Sequence, residues 1–139
     1  MRILFSILLI LFTSSMFSQL NITIEKNFGG TLNDQAKSIK TTIEGGFVVA
    51  GYSDSNNGDV GGNHGELDFW VIKLDTDLNI EWEKNLGGSD NDYASSIQQT
   101  LDGGFIIAGA SFSNDGNVGG NNGLADIWIV KLDATGNLL

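Results

Sequence analysis

Short runs of apolar residues, each ended by glycine, asparagine or aspartate, divide most of this chain. Phe47–Ser53 and Phe105–Ser111 are almost continuously apolar, as strands covered on both faces are. In Asp68–Leu74, Trp70, Ile72 and Leu74 share one face while Phe69 and Val71 share the other. Ala36–Ile43 and Ala94–Leu101 alternate polar and β-branched positions and read as strands. Ile80–Asn85 is polar at alternate positions, the pattern of a half-exposed strand. Glu44-Gly45-Gly46 and Asp102-Gly103-Gly104 are hairpin signals, because glycine takes positive φ without strain. No stretch shows a helical period.

These elements occur twice. Shifting Glu25–Asn79 by 58 positions onto Glu83–Asn137 needs no gap, and 31 of the 55 aligned pairs are identical. A period of this length belongs to solenoids and propellers. The unit is four antiparallel strands: Ala36–Ile43, Phe47–Ser53, Asp68–Leu74 and Ile80–Asn85, with Ala94–Leu101, Phe105–Ser111 and Asp126–Leu132 in the second copy. The two repeats span about residues 25–82 and 83–139.

A four-stranded sheet whose middle strands are apolar on both sides fits a propeller blade packed between two neighbours. The predicted fold is therefore all-β, a β-propeller-type tandem repeat of two four-stranded antiparallel blades. A β-sandwich is the alternative, although it has no need of so close a repeat. Residues 22–27 align with the fourth strand and are expected to complete the last blade. Known rings hold about four to eight blades. Two blades imply either several chains sharing one ring or a piece of a longer repeat protein.

Residues 1–18 hold one cation, Arg2, an apolar run Ile3–Phe12, and then Thr13, Ser14 and Ser15. That is the layout of a secretory signal peptide, with cleavage expected after Ser18. The apolar run is shorter than the roughly 20 residues a membrane span needs, and no other segment reaches that length. The net charge is −10, from 17 acidic and 7 basic residues. Nucleic acid is thus an unfavourable partner, because phosphate binding needs clustered cations. With no cysteine, the chain has neither disulfides nor thiolate chemistry. Nineteen glycines and no proline suit many short strands and tight turns.

The run from Gly87 to Asn137, Gly-Gly, Asp-Tyr-Ala-x-Ser-Ile, Asp-Gly-Gly-Phe-Ile-Ile-Ala-Gly and Asp-x-Trp-x-Val-Lys-Leu-Asp-x-x-Gly-Asn, resembles secreted bacterial β-propeller repeat proteins. The resemblance covers both repeats. It implies a propeller fold and export, in long cell-surface chains that often carry a C-terminal sorting domain for type IX secretion. That family has no well-defined shared activity. This chain departs from it in being short and in showing no sorting domain up to Leu139.

The loops Asp54–Asp68 and Phe112–Asp126 are the candidate sites. Carboxylate and amide oxygens with glycine between them are what Ca²⁺ takes. The candidate calcium ligands are Asn56, Asp59, Asp68, Asn114, Asp115, Asn117 and Asp126. The spacing is not that of an EF-hand loop, and an Asx-rich turn bonding its own backbone is the alternative. Asp75 and Asp133 fit turn caps. Trp70 and Trp128 fit a core between blades, whereas Trp82, on the half-exposed strand, is the candidate ligand platform. His64 is the single histidine and is replaced by Asn122 in the second repeat, as a solvated loop residue would be.

The residues point to a secreted or cell-surface, non-enzymatic binding or adhesion module. Carbohydrate or another cell-surface ligand is the expected partner, and self-association or a longer parent chain is expected too. A structural repeat of a larger exported protein is the alternative. A glycoside hydrolase ranks third, because the positions where the repeats differ gather no carboxylate pair.

Overall fold

The computed structural model describes residues 24–139. Seven strands form two antiparallel sheets: β1 (Asp34–Thr41), β2 (Phe47–Ser53), β3 (Asp68–Leu74) and β4 (Ile80–Leu86) in one, β5 (Asp92–Gln99), β6 (Phe105–Ser111) and β7 (Asp126–Leu132) in the other. Within each sheet the strands lie in chain order. The predicted leader, residues 1–18, lies outside the described residues. Among the described residues, no helix is long and apolar enough to cross a membrane.

The hairpins follow from their glycines. Gly45 and Gly103 take φ of 96° and 81°, and their amides close the turns on Thr42 and Thr100. Strand pairing repeats with the same offset as the sequence. Ala36 pairs Gly51 and Ser38 pairs Ala50, leaving Lys37 as a bulge; Ala94 pairs Gly109 and Ser96 pairs Ala108, leaving Ser95.

Four expectations need correction, three in the strands and one in their burial. The strands predicted at Ala36–Ile43 and Ala94–Leu101 begin and end two residues earlier, because Asp34 and Asp92 already pair with Ser53 and Ser111 while Thr42 and Thr100 belong to the turns. The second sheet has three strands rather than four, with only a bridge from Leu132 to Leu138 where a fourth would start. Ile24–Asn27 is not in a strand; Lys26 Nζ instead donates to Asn79 Oδ1 at 2.6 Å, beside the first sheet. Residues 22 and 23 of that predicted strand lie outside the described residues.

The core lies between the sheets. Val48, Ala50, Phe69, Val71 and Leu86 from the first sheet meet Ala94, Ile97, Phe105, Ile107, Val130 and Leu132 from the second. The opposite face of the first sheet carries Trp70, Ile72 and Leu74, with Phe28, Leu78 and Ile80 packed on them. Every residue of β3 is therefore buried. In β7 the expectation of cover on both faces fails: Ile127 and Ile129 are exposed, because no element of the described chain packs on that side.

Candidate functional site

The two loops between the second and third strands of each sheet hold nearly all the candidate oxygens, and they bind backbone. Asn56 Oδ1 accepts from the Gly62 amide at 3.2 Å, and Asn114 Oδ1 accepts from Gly120 and Asn121 at 3.1 and 3.2 Å. Asp59 accepts from the Gly29 amide at 3.1 Å, and Asn117, one period later, from Gly87 at 3.2 Å. Asp115 Oδ1 accepts from the Ser89 amide at 2.7 Å, as Asn57 does from Thr31 at 2.9 Å. Each loop thus clasps the Gly-Gly turn that leads into the first strand of its own sheet. A carboxylate or amide oxygen that receives an N–H has less to offer a cation, and this geometry matches an Asx-rich turn.

The seven candidate calcium ligands are not brought together. Asn56, Asp59 and Asp68 belong to one loop and strand end, Asn114, Asp115, Asn117 and Asp126 to the other, and within each loop they face different backbone segments. Among the described residues, no three acidic, histidine or cysteine side chains are arranged to hold a metal ion.

Asp68 is the most distinctive of them. It is fully buried, and its Oδ2 accepts from the His64 amide at 2.7 Å and lies 2.9 Å from His64 Nδ1. Asp126 holds the Asn122 amide in the same way, at 2.7 Å. A β-carbon at Gly87 would run into the carboxylates of both Asp68 and Asp92, so this glycine is what lets the two side chains approach across the seam between the sheets. Asp92 is also fully buried, and its Oδ2 accepts from the Gly88 amide at 2.8 Å and the Ser113 hydroxyl at 2.9 Å. Among the described residues, Asp68 Oδ1 and Asp92 Oδ1 have no hydrogen-bond partner. Burial raises the Asp68 pKa above the usual carboxylate range; His64 opposes the rise and Asp92 adds to it. The sequence shows both aspartates, but they stand 24 positions apart in different repeats. Only the seam makes them neighbours.

Trp82 is half-buried and packs on the inter-sheet core. Its ring stands edge-on to Phe105 at 5.5 Å between centroids, and Gly136 lies close against it, near enough that a β-carbon there would come within 2.9 Å of the ring. Trp128 lies 4.7 Å from Phe69 across the same interface, and Trp70 is buried on the opposite face of the first sheet. His64 has a half-exposed side chain tied to Asp68. Asp75 and Asp133 cap their turns: Asp75 Oδ1 accepts from Asp77 and Asn79, and Asp133 Oδ1 from Thr135 and Asn137.

Two concavities border these elements. A groove of about 440 Å³ lies on the first sheet, with Gly51, Trp70 and Val49 in its floor and Ile39 and Lys26 among its walls. A polar crevice of about 470 Å³ lies at the loop of the second sheet, lined by Gly119, Gly120, Asn121, Asn122, Asp126 and Trp128 among others. Loop glycines 119 and 120 leave its rim open, with nothing where a side chain would stand. Compared with family models and with curated proteins, the chain matches none.

Proposed function

We propose that the chain is an exported β-propeller segment, each sheet serving as one blade, and that it works as a non-catalytic binding or adhesion module with carbohydrate as its ligand class. The supporting observation is the crevice at the second loop, where Asn121, Asn122 and Asp126 sit beside Trp128. Amide and carboxylate groups next to an aromatic ring suit sugar hydroxyls and the apolar face of a pyranose. Among the described residues the crevice is formed once, because its counterpart in the first repeat is covered by the second sheet, with Asp68 and Phe69 fully buried. Export rests on the leader pattern of residues 1–18.

A glycan panel, read by direct binding to the wild-type chain and to the Asn122→Ala and Trp82→Ala variants, tests this. Retention of one glycan class, lost on Asn122→Ala, supports the crevice as the site. Loss on Trp82→Ala alone moves the site to the strand. No retained glycan removes the carbohydrate reading, and release of free sugar during the assay would turn it into a hydrolase.

A purely structural repeat within a larger exported protein is the second reading. It is favoured by the number of repeated polar side chains, Asn56, Asp59, Asn63 and Asp75 among them, whose bonds go to neighbouring backbone.

A further inference from the structure

The two sheets are stacked so that each has a front, carrying Phe47, Val49, Trp70, Ile72 and Leu74 or their counterparts 58 positions on, and a back, carrying Val48, Ala50, Phe69 and Val71 or theirs. Among the described residues, the one stack of sheets joins the back of the first to the front of the second. Its central fit is Phe69, which passes over Gly109 (a β-carbon there would lie 2.6 Å from the ring tip) and meets Trp128 at 4.7 Å.

The same two surfaces occur again, unjoined, at the ends of the stack. On the back of the second sheet, Ile127 and Ile129 occupy the places of Phe69 and Val71; they are 84% and 60% exposed, where Phe69 and Val71 are fully buried. On the front of the first sheet, the groove floored by Gly51 and Trp70 occupies the place of Gly109 and Trp128. Its wall residue Ile39 is 59% exposed, whereas its counterpart Ile97 is 1% exposed. A repeat surface that faces water normally is polar. Among the described residues, these two are apolar.

We infer that the back of the second sheet docks into the front groove of the first sheet in a second copy of this chain, with Ile127 filling the place over Gly51 and Trp70 that Phe69 fills over Gly109 and Trp128. The occupant is identified by the chain's own interface, which shows what covers each of these surfaces. Ile127 also lines the crevice beside Asn122 and Asp126, so docking and ligand binding there exclude each other. One further feature agrees. The Asp92 amide bonds the Leu67 carbonyl across the existing seam at 2.5 Å, and the counterparts, the Ala125 carbonyl and the Asp34 amide, are both backbone groups that a second copy presents. The seam bond from Asn91 to Glu66 at 2.6 Å has no equivalent at the proposed contact, where the counterparts are Asn33 and Leu124. Because the two faces differ, the contact is head-to-tail and generates a closed ring or an open filament.

Sedimentation or light scattering over a concentration series of the full chain tests this, using Ile127→Asp and Ile39→Asp. Both residues are exposed in the single chain, so neither change removes core. The wild type is expected to assemble, and each variant alone to lose at least a hundredfold in association. Mixed together, the variants are expected to form a 1:1 complex and stop there, since only one intact front and one intact back remain. A wild type that stays monomeric, an Ile39→Asp variant that assembles like wild type, or a mixture that does not pair would each overturn the inference.

Discussion

Phe69 on β3 lies 4.7 Å from Trp128 on β7, among the described residues the shortest of three aromatic contacts that join two sheets whose strands each pair in chain order. The ring of Phe69 fits because Gly109 has no side chain beneath it. The contact ties the repeat in the sequence to the stack in space, since the residue one period after Phe69 is Ile127, on the uncovered face.

Phe69→Ala should empty the centre of the seam. Truncating a buried phenylalanine costs about 3–5 kcal/mol, a large part of the stability of a small domain. Chemical denaturation followed by tryptophan fluorescence reads the change next to Trp128. A loss under 1 kcal/mol would mean that the sheets do not depend on each other.

Asp68→Asn should stabilise the fold at neutral pH. A carboxylate whose pKa is raised on folding favours the native state only as pH falls through the raised value, and weighs against it above. Asparagine keeps an acceptor for the His64 amide and takes away the charge that faces Asp92. The melting temperature of the variant should exceed that of wild type at pH 7, and the gap should close on acidification. A variant less stable than wild type at pH 7 would assign the ionised carboxylate a favourable role.

The turn aspartates carry the opposite dependence. Backbone and side-chain bonds from Asn137 hold Asp133 down at about 2, and the side chain and amide of Asn79 lower Asp75. Their contribution is complete above the ordinary carboxylate range, near 3.9, and is lost as pH falls through the lowered values. Carboxyl titration by NMR should place the Asp133 midpoint near 2. In Asn137→Ala the midpoint should move back toward the ordinary value.

Asn114→Ala removes the acceptor for the Gly120 and Asn121 amides. The expected cost is about 1 kcal/mol, that of an ordinary hydrogen bond lost near solvent. Measured by thermal unfolding in a chelator, the loss should already be present. A loss seen only when calcium is added would assign the loop oxygens to the cation instead.

Much of the architecture was legible in the residues, because strand pattern, glycine turns and a fixed period are local properties. The alternation in β3, the hairpins at Gly45 and Gly103 and the reading of Trp128 as core needed no knowledge of the fold. The loop oxygens were legible as a pattern but not in purpose. Whether Asn114 faces a cation or the Gly120 amide depends on a few torsion angles that composition does not set.

By itself the sequence determined that the chain forms antiparallel strands in two matching sets, since the pleat and the 58-residue period are written into neighbouring residues. Only the tertiary structure decided that Asp68 meets Asp92 over Gly87, that Trp82 packs against Phe105, and that Phe69 is covered while Ile127 is not. The physical reason is the same in each case. A strand's pattern makes both faces apolar, but which face is covered depends on the surface that another sheet brings to it.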